Sequence, residues 1–332
     1  MSRHPFLALV LLIASGMLAA SCTEDPLYPA RSITVNGADM PSLVGDAVYE
    51  LWLSYPPERA VRKEPVIDHD EPLYFSAGRF IVSDGAIRAV GGGPADFAIP
   101  TGYNPSLVFE AIVSVEPLVD DDTVPDAPML WGRFTGTASR AHALLEAATV
   151  RTFDTAAMLA RNGSFVLEAP TSEDAADSLS GIWFLSKVRS PGGDPMSPGV
   201  DMPALPLNHD NDNWIYEAWL TQRDGAGSVS YVSLGRFRNP ANADLTGPGP
   251  AAGPNRTAAH GFPGEDFVAP RRVLTDSAYG VVVSLQPESI AVAAPVLRLL
   301  ERPIIGDSVV SGRRVNMTAT AKLPLVEVTI DR

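Results

Sequence analysis

Two acidic segments carry the side chains best suited to binding a cation. Asp68, Asp70 and Glu71 lie in the first segment, and Asp210 and Asp212 lie in the second. Each segment precedes a predicted strand and supplies carboxylate oxygens, which are the ligand atoms that calcium prefers. A solvated acidic loop is the favoured interpretation, because the calcium-loop pattern starting at Asp210 lacks its glycine and its final glutamate. Ligand or ion loops formed by these residues are the alternative, and we assign no metal and no cofactor.

Catalytic motifs are missing from the sequence. It contains no His-Glu-x-x-His pair, no Cys-x-x-Cys pair, no phosphate-binding glycine loop and no Gly-x-Ser-x-Gly elbow. The five histidines are scattered along the chain. We expect a protein that is not an enzyme and has no catalytic residues.

The single cysteine, Cys22, follows a short basic start and an apolar run over residues 6–20. That run is typical of a secretion signal and is short for a membrane span. Its end, Leu18-Ala19-Ala20-Ser21-Cys22, resembles the lipobox of bacterial lipoproteins, which implies cleavage before Cys22 and acylation of its thiol. A plain signal peptide or a free thiol is the alternative. We expect a signal peptide at 1–21, a tether at 22–31, and anchoring to a membrane through a lipid on Cys22.

The charge balance excludes one class of partner. Removing residues 1–21 takes away one basic and no acidic residue, which leaves a formal charge of −15. Nucleic-acid-binding surfaces are basic, so we expect no nucleic-acid partner. We expect an extracytoplasmic location on the bacterial envelope, at the outer membrane or cell surface rather than at the inner membrane.

Five sequence blocks occur twice in the same order, which predicts an internal duplication. Their offsets differ only by lengths typical of loops. The first and second occurrences begin at Tyr49 and Tyr216, Ser76 and Ser233, Asp96 and Asp266, Val113 and Val283, and Ala127 and Ala294. We expect a mainly β protein of two tandem antiparallel β-sandwich-like modules, sandwiches or barrels, over residues 32–158 and 159–332.

Local patterns place the strands. Glycine and proline make up 57 of 332 residues and separate short apolar runs, as in an all-β protein with many turns. Asn36-Gly37 predicts a hairpin turn after a first strand. Alanine and leucine over residues 138–160 favour a partly helical connector, although threonine and valine weaken that interpretation.

The repeated tryptophans and tyrosines have two interpretations. Trp52 and Trp219, with Tyr49 and Tyr216, would form a platform for stacking sugars, or they would pack within each module. Their recurrence at equivalent strand positions favours packing. Each Gly-Arg-Phe block places an arginine opposite the buried phenylalanine, where a surface role or an ion pair with Glu50 or Glu217 is expected.

The repeated blocks resemble the C-terminal domain of anti-sigma-K factors. Tyr-x-Leu-Trp-Leu, then Gly-x-Phe, then Val-Ser-x-Glu-Pro match the first occurrence, and the second departs from the pattern at Ala218 and Gln286. In that family this domain lies outside the cytoplasm, while a separate domain binds the sigma factor. Before Tyr49 this sequence has the signal, the tether and one strand, so direct binding of a sigma factor is not expected.

These observations favour a lipid-anchored envelope protein with a non-catalytic binding or sensing role and an envelope protein as its partner. An enzyme acting on envelope glycans and a purely structural surface lipoprotein are the alternatives. A pair of facing carboxylates in a cleft would favour the enzyme.

Replacing Cys22 with Ser should move the protein from the membrane to the soluble fraction, because the acylated thiol is the expected anchor. Cell fractionation with metabolic labelling by a fatty acid measures this. Ser21→Ala keeps the small residue before the cysteine and should leave the protein on the membrane. Persistent membrane association of the Cys22→Ser variant contradicts the prediction.

Overall fold

The computed structural model describes residues 28–56, 73–120, 123–137, 139–147, 162–187, 196–202, 204–205, 214–320 and 323–331. The described chain is mainly β, and its helical segments are three short 3₁₀ turns at Pro105–Leu107, Ala175–Asp177 and Arg256–Ala258. None of the helices within these ranges has the length and apolar character to cross a membrane.

Twenty strands lie within the described ranges, and in chain order they are β1 (Arg31–Ala38), β2 (Ala47–Tyr55), β3 (Leu73–Ser83), β4 (Ala86–Ala89), β5 (Ala98–Ile99), β6 (Glu110–Pro117), β7 (Ala127–Arg133), β8 (Thr135–Gly136), β9 (Arg140–Glu146), β10 (Gly163–Leu167), β11 (Gly181–Trp183), β12 (Leu185–Lys187), β13 (Ser197–Pro198), β14 (Trp214–Arg223), β15 (Val229–Phe237), β16 (Gly264–Asp266), β17 (Tyr279–Pro287), β18 (Leu297–Arg302), β19 (Arg314–Ala319) and β20 (Leu325–Asp331).

Two large antiparallel sheets contain nearly all of these strands, which confirms the predicted fold class. The first sheet has the order β4-β3-β2-β6-β7-β9-β20-β1-β5, with β8 beside β9. The second has the order β15-β14-β17-β18-β19-β10-β11-β16, and β12 and β13 form a separate pair. In the first sheet β2 lies between β3 and β6, and in the second sheet β14 lies between β15 and β17.

The hydrophobic core is continuous across both sheets. Tyr49 and Phe80 of the first sheet and Tyr216 and Phe237 of the second belong to one cluster of buried side chains. The chain therefore does not form a separate core for each predicted module. The only other cluster among the described residues is small and surrounds Trp183.

The last strand of the chain lies in the first sheet, not in the second. β20 pairs with β1 over six positions and with β9 over seven. The predicted boundary between residues 158 and 159 assigned this strand to the second module, and the topology corrects that assignment. The pairing buries Val326, Val328 and Ile330 completely, which stabilises the strand in this sheet.

The predicted partly helical connector contains a strand instead. In β9 the side chains of Ala141, Ala143 and Leu145 are buried, and those between them are exposed. This period of two suits a strand with one face on a core, and pairing with β20 outweighs the helical propensity of alanine and leucine. Residues 148–160 of the predicted connector lie outside the described ranges.

The predicted Asn36-Gly37 turn is also absent, because both residues continue β1. Asn36 lies opposite Glu327, and Gly37 lies opposite Val326. A Cβ at Gly37 would approach the Ile87 side chain to 2.9 Å. Close packing between strands, rather than a turn, explains this glycine.

Candidate functional site

The residues predicted as a lipid anchor and as ligand or ion loops all lie outside the described ranges, so they remain predictions. They are Cys22, Asp68, Asp70, Glu71, Asp210 and Asp212.

The repeated tyrosines and tryptophans point to opposite faces of their strands. Tyr49 and Tyr216 are fully buried in the shared core, against Phe80 and Phe237 respectively. Trp52 and Trp219 lie on the other face and are each 3% exposed. Rings so buried offer no stacking platform for a sugar. The prediction that each pair packs a core is confirmed for the tyrosines, which share one core, and is wrong for the tryptophans, which pack on the other face.

Each tryptophan belongs to a buried polar layer on the outer face of its sheet. The Trp52 indole N–H donates to Ser114 Oγ at 2.9 Å, and the Trp219 indole donates to Ser284 Oγ at the same distance. Both serines are fully buried. These hydrogen bonds satisfy an indole donor that burial alone would leave without a partner.

A glutamate and an arginine form the charged part of each layer. Glu50 Oε2 lies 3.1 Å from Arg79 Nε, and Glu217 Oε2 lies 3.1 Å from Arg236 Nε. Each glutamate lies directly opposite its arginine on the neighbouring strand. The expected ion pairs are therefore present. Burial raises the pKa of Glu217, while hydrogen bonds from Ser233 and Arg236 oppose that rise.

Each arginine also binds the end of a third strand. Arg79 donates to the carbonyls of Pro117 and Leu118, the latter at 3.1 Å. Arg236 donates to the carbonyl of Pro287 at 2.7 Å and to the next carbonyl at 3.1 Å. One guanidinium thus joins a carboxylate on one strand to two carbonyls on another, which a lysine could not reproduce.

The glycine before each arginine fits a close approach and a left-handed backbone. Gly78 has a φ of 145°, and a Cβ there would lie 3.0 Å from the Asp96 carbonyl oxygen. Gly235 has a φ of 109°, and a Cβ there would meet the Asp244 carboxylate within 2.8 Å. The strands shift register beside these glycines, so a bulge sets each arginine against its glutamate.

The two polar layers differ at one position. Glu116 accepts hydrogen bonds from Ser114, from the Trp52 indole at 3.2 Å and from the Asp126 backbone N–H at 3.1 Å. Gln286 instead donates to Ser284 Oγ at 2.9 Å and to the Ala294 carbonyl at 3.2 Å. Burial raises the pKa of Glu116 from its ordinary 4.5 to about 7, against these hydrogen bonds.

Glu116 is also part of the one carboxylate group among the described residues with a spacing that suits a metal ion. It has an oxygen within 4.8 Å of one from Asp120 and one from Asp126. The hydrogen bonds of Glu116 already account for the position of its carboxyl group. A carboxyl group with a raised pKa is also a weak ligand, because it must lose its proton to bind a cation.

A second group of buried carboxyls was not identified from the sequence. Asp266 accepts hydrogen bonds from the Thr171 N–H at 3.0 Å and from the Trp183 indole at 2.8 Å. Asp244 accepts from the Gly264 N–H at 3.0 Å. Burial raises the pKa of Glu265 to about 8, and the Asp244 charge adds to this rise. The group holds the long loop before β16 in place.

This second group of carboxyl side chains is closed to solvent. Asp266 is fully buried, Glu265 is 3% exposed and Asp244 is 9% exposed. A substrate has no access to such side chains, so the group is structural. The sequence signal that would have found it is the recurrence of Asp-Phe at Asp266.

A groove of about 450 Å³ lies where the segment after β1 meets the outer face of the second sheet. Asp39, Pro41, Ser42 and Val44 form one wall, and the opposite wall comes from β15, from β18 with the segment before it, and from the ends of the β19–β20 connection. The volume lies within the range usual for small-ligand sites.

The two walls of the groove are fixed to each other. The Ala293 N–H donates to the Val44 carbonyl at 2.8 Å, and Gly45 forms a β-bridge with Val292. The Tyr49 hydroxyl, from within the core, donates to the Pro41 carbonyl at 2.8 Å. The groove is therefore a formed surface rather than a gap between loosely joined parts.

Two polar side chains meet across the second sheet in this groove. Arg298 is on β18 and Tyr231 is on β15, and the arginine donates to the tyrosine hydroxyl at 2.7 Å. The ring of Tyr231 packs edge-on against Trp219, with centroids 6.3 Å apart. The polar layer thus supports the groove from below.

Comparisons with known protein families, with characterised proteins and with solved structures found no match to this chain.

Glu116→Gln should stabilise the protein at high pH. Because the folded state holds the Glu116 proton more tightly than the unfolded chain, the free energy of unfolding falls as pH rises from 4.5 to about 7. Glutamine resembles the protonated form, so the variant should gain up to about 3 kcal/mol at pH 8 and little at pH 4. Urea unfolding at both pH values measures this.

Glu327→Gln is the matched control, since Glu327 is an exposed glutamate on a strand. It should leave the pH dependence of unfolding unchanged. A Glu116→Gln variant that is less stable than the original protein at pH 8 would show that the carboxylate is favourable there.

Proposed function

We propose that this chain is a non-catalytic binding protein of the bacterial envelope, anchored by a lipid on Cys22, with its ligand in the groove beside Val44. The anchor rests on the lipobox-like sequence before Cys22. Its expected position is extracytoplasmic, with an envelope protein as partner. The mature formal charge of −15 is consistent with the absence of nucleic acid among its ligands.

The groove is the observation that carries this proposal. Its two walls come from the two halves of the chain and are held together by backbone hydrogen bonds. It combines exposed apolar surface at Val44 with the polar side chains of Tyr231 and Arg298. A mostly apolar cleft with a few polar groups is the usual form of a ligand site.

The distribution of carboxyl groups argues against the glycan-acting enzyme. Glycoside hydrolysis needs two carboxyl groups that flank the scissile bond in an accessible cleft. Among the described residues that line the groove, Asp39 is the single carboxylate. The clustered carboxyls Glu265 and Asp266 are buried under the loop before β16.

The internal duplication and the relation to the anti-sigma-K domain are part of the proposal. Their support is that the matched positions make matched contacts: Glu50 and Glu217 each pair with an arginine, and Trp52 and Trp219 each donate to a serine. A duplicated scaffold explains why these contacts recur while the loops between them differ.

A photo-crosslinking residue in place of Val44 tests the proposed site in intact cells. Val44 is 49% exposed and lines the groove, whereas Val119 is 91% exposed, lies on the β6–β7 loop and is not among the groove-lining residues. The same residue at position 119 is the matched control. We expect a discrete adduct from position 44 that position 119 does not give. Identical adducts from both positions, or none from position 44, would contradict the proposed site.

A further inference from the structure

We propose that the groove binds the C-terminal end of a peptide, with its free carboxylate on Arg298 and an apolar last side chain on the opposite wall. This inference rests on the proposed function, because it assigns a ligand class to the same groove. It follows from the unpaired charge of one arginine, from how that arginine is held, and from the composition of the facing wall.

Arg298 is an exposed cation without an acidic partner. Among the ion pairs of the described residues, none joins Arg298 to a carboxylate within 4.0 Å. Asp39 lines the same groove, but it forms no ion pair with Arg298 within that distance. The planar guanidinium offers paired N–H donors that match a carboxylate.

The Arg298 side chain is held in position before any ligand arrives. It donates to Tyr231 Oη at 2.7 Å, Tyr231 packs against Trp219, and Trp219 donates to Ser284. Tyr231 Oη acts as an acceptor in this contact, so its own O–H remains able to donate to a second carboxylate oxygen. A fixed donor pair lowers the entropy cost of binding.

Part of the groove lining is apolar and poor in hydrogen-bond donors. Pro41 and Val44 on one side, and Pro295 and Val296 on the other, line the groove near Arg298. Proline has no backbone N–H to offer. Sugar hydroxyl groups placed against these four residues would lose water without side-chain hydrogen-bond partners in exchange, which costs free energy. An apolar side chain fits this part of the groove better.

The remaining polar side chains suit a peptide rather than a simple fatty acid. Ser42 and Thr320 place hydroxyl oxygens around the same groove. These oxygens can accept hydrogen bonds from the amide N–H groups of a peptide, whereas a hydrocarbon chain would leave them without a ligand partner. The geometry therefore combines a carboxylate donor pair, an apolar wall and amide acceptors.

Isothermal titration of the full chain with the tetrapeptide Ala-Ala-Ala-Leu tests the inference. The free acid should bind, and the same peptide with a C-terminal amide should bind at least about tenfold more weakly, because a charge-assisted hydrogen bond is lost. Arg298→Gln should weaken binding of the free acid by a similar factor. Arg302→Gln, an exposed arginine on the same strand but outside the groove lining, should not.

Circular dichroism of each variant confirms that it is folded before the titration is interpreted. Equal binding of the acid and the amide, or unchanged binding in Arg298→Gln, overturns the assignment of the carboxylate to Arg298. If neither peptide binds but a uronic-acid disaccharide binds and Arg298→Gln abolishes it, the peptide inference fails while the groove remains the ligand site. If no probe binds and position 44 gives no adduct in cells, the proposed function fails as well.

Discussion

Each sheet depends on a buried ion pair whose arginine also donates to two backbone carbonyls. Glu50 on β2 faces Arg79 on β3, and the same guanidinium reaches the end of β6. Glu217, Arg236 and the end of β17 repeat this arrangement in the second sheet. Removing one member would leave a buried charge without its partner, which is among the costliest local changes in a protein. The bulge, its glycine and the register of three strands follow from satisfying that charge.

The polar layer around these ion pairs also explains why the groove lies on the second sheet. Ser284 and Trp219 support Tyr231, which holds Arg298. Arg298 faces Ser284 across strands β18 and β17, whereas the corresponding position opposite Ser114 is Pro128. The first sheet therefore has no cation at the equivalent place. This side-chain difference places an arginine on the second sheet and a proline at the matching position of the first.

Much of this fold could be predicted from local sequence, and the rest depends on contacts that local sequence does not record. The strands of the matched blocks and the Glu–Arg pairs follow from residue alternation. The pairing of β20 with β1 joins opposite ends of the chain and leaves no local signal. The sequence match of Ala127 with Ala294 is also wrong by three residues. In the structure Val115 faces Ala127 while Leu285 faces Leu297, so Leu297 is the residue that corresponds to Ala127. The groove forms between segments that are distant in sequence, so neither wall predicts the other.

Urea unfolding of Arg79→Ala and Arg236→Ala variants is the most direct test of this account. Each variant removes the arginine from a buried glutamate and from two carbonyls at a strand end, so the free energy of unfolding should fall by about 3–5 kcal/mol in either sheet. Lysine at the same positions should restore little of this loss, since one ammonium group cannot span the carboxylate and both carbonyls. Arg313→Ala, at an exposed arginine, provides the control. Stabilities of the Arg79→Ala and Arg236→Ala variants within about 0.5 kcal/mol of the original protein, as for ordinary surface changes, would contradict a structural role for the repeated pairs.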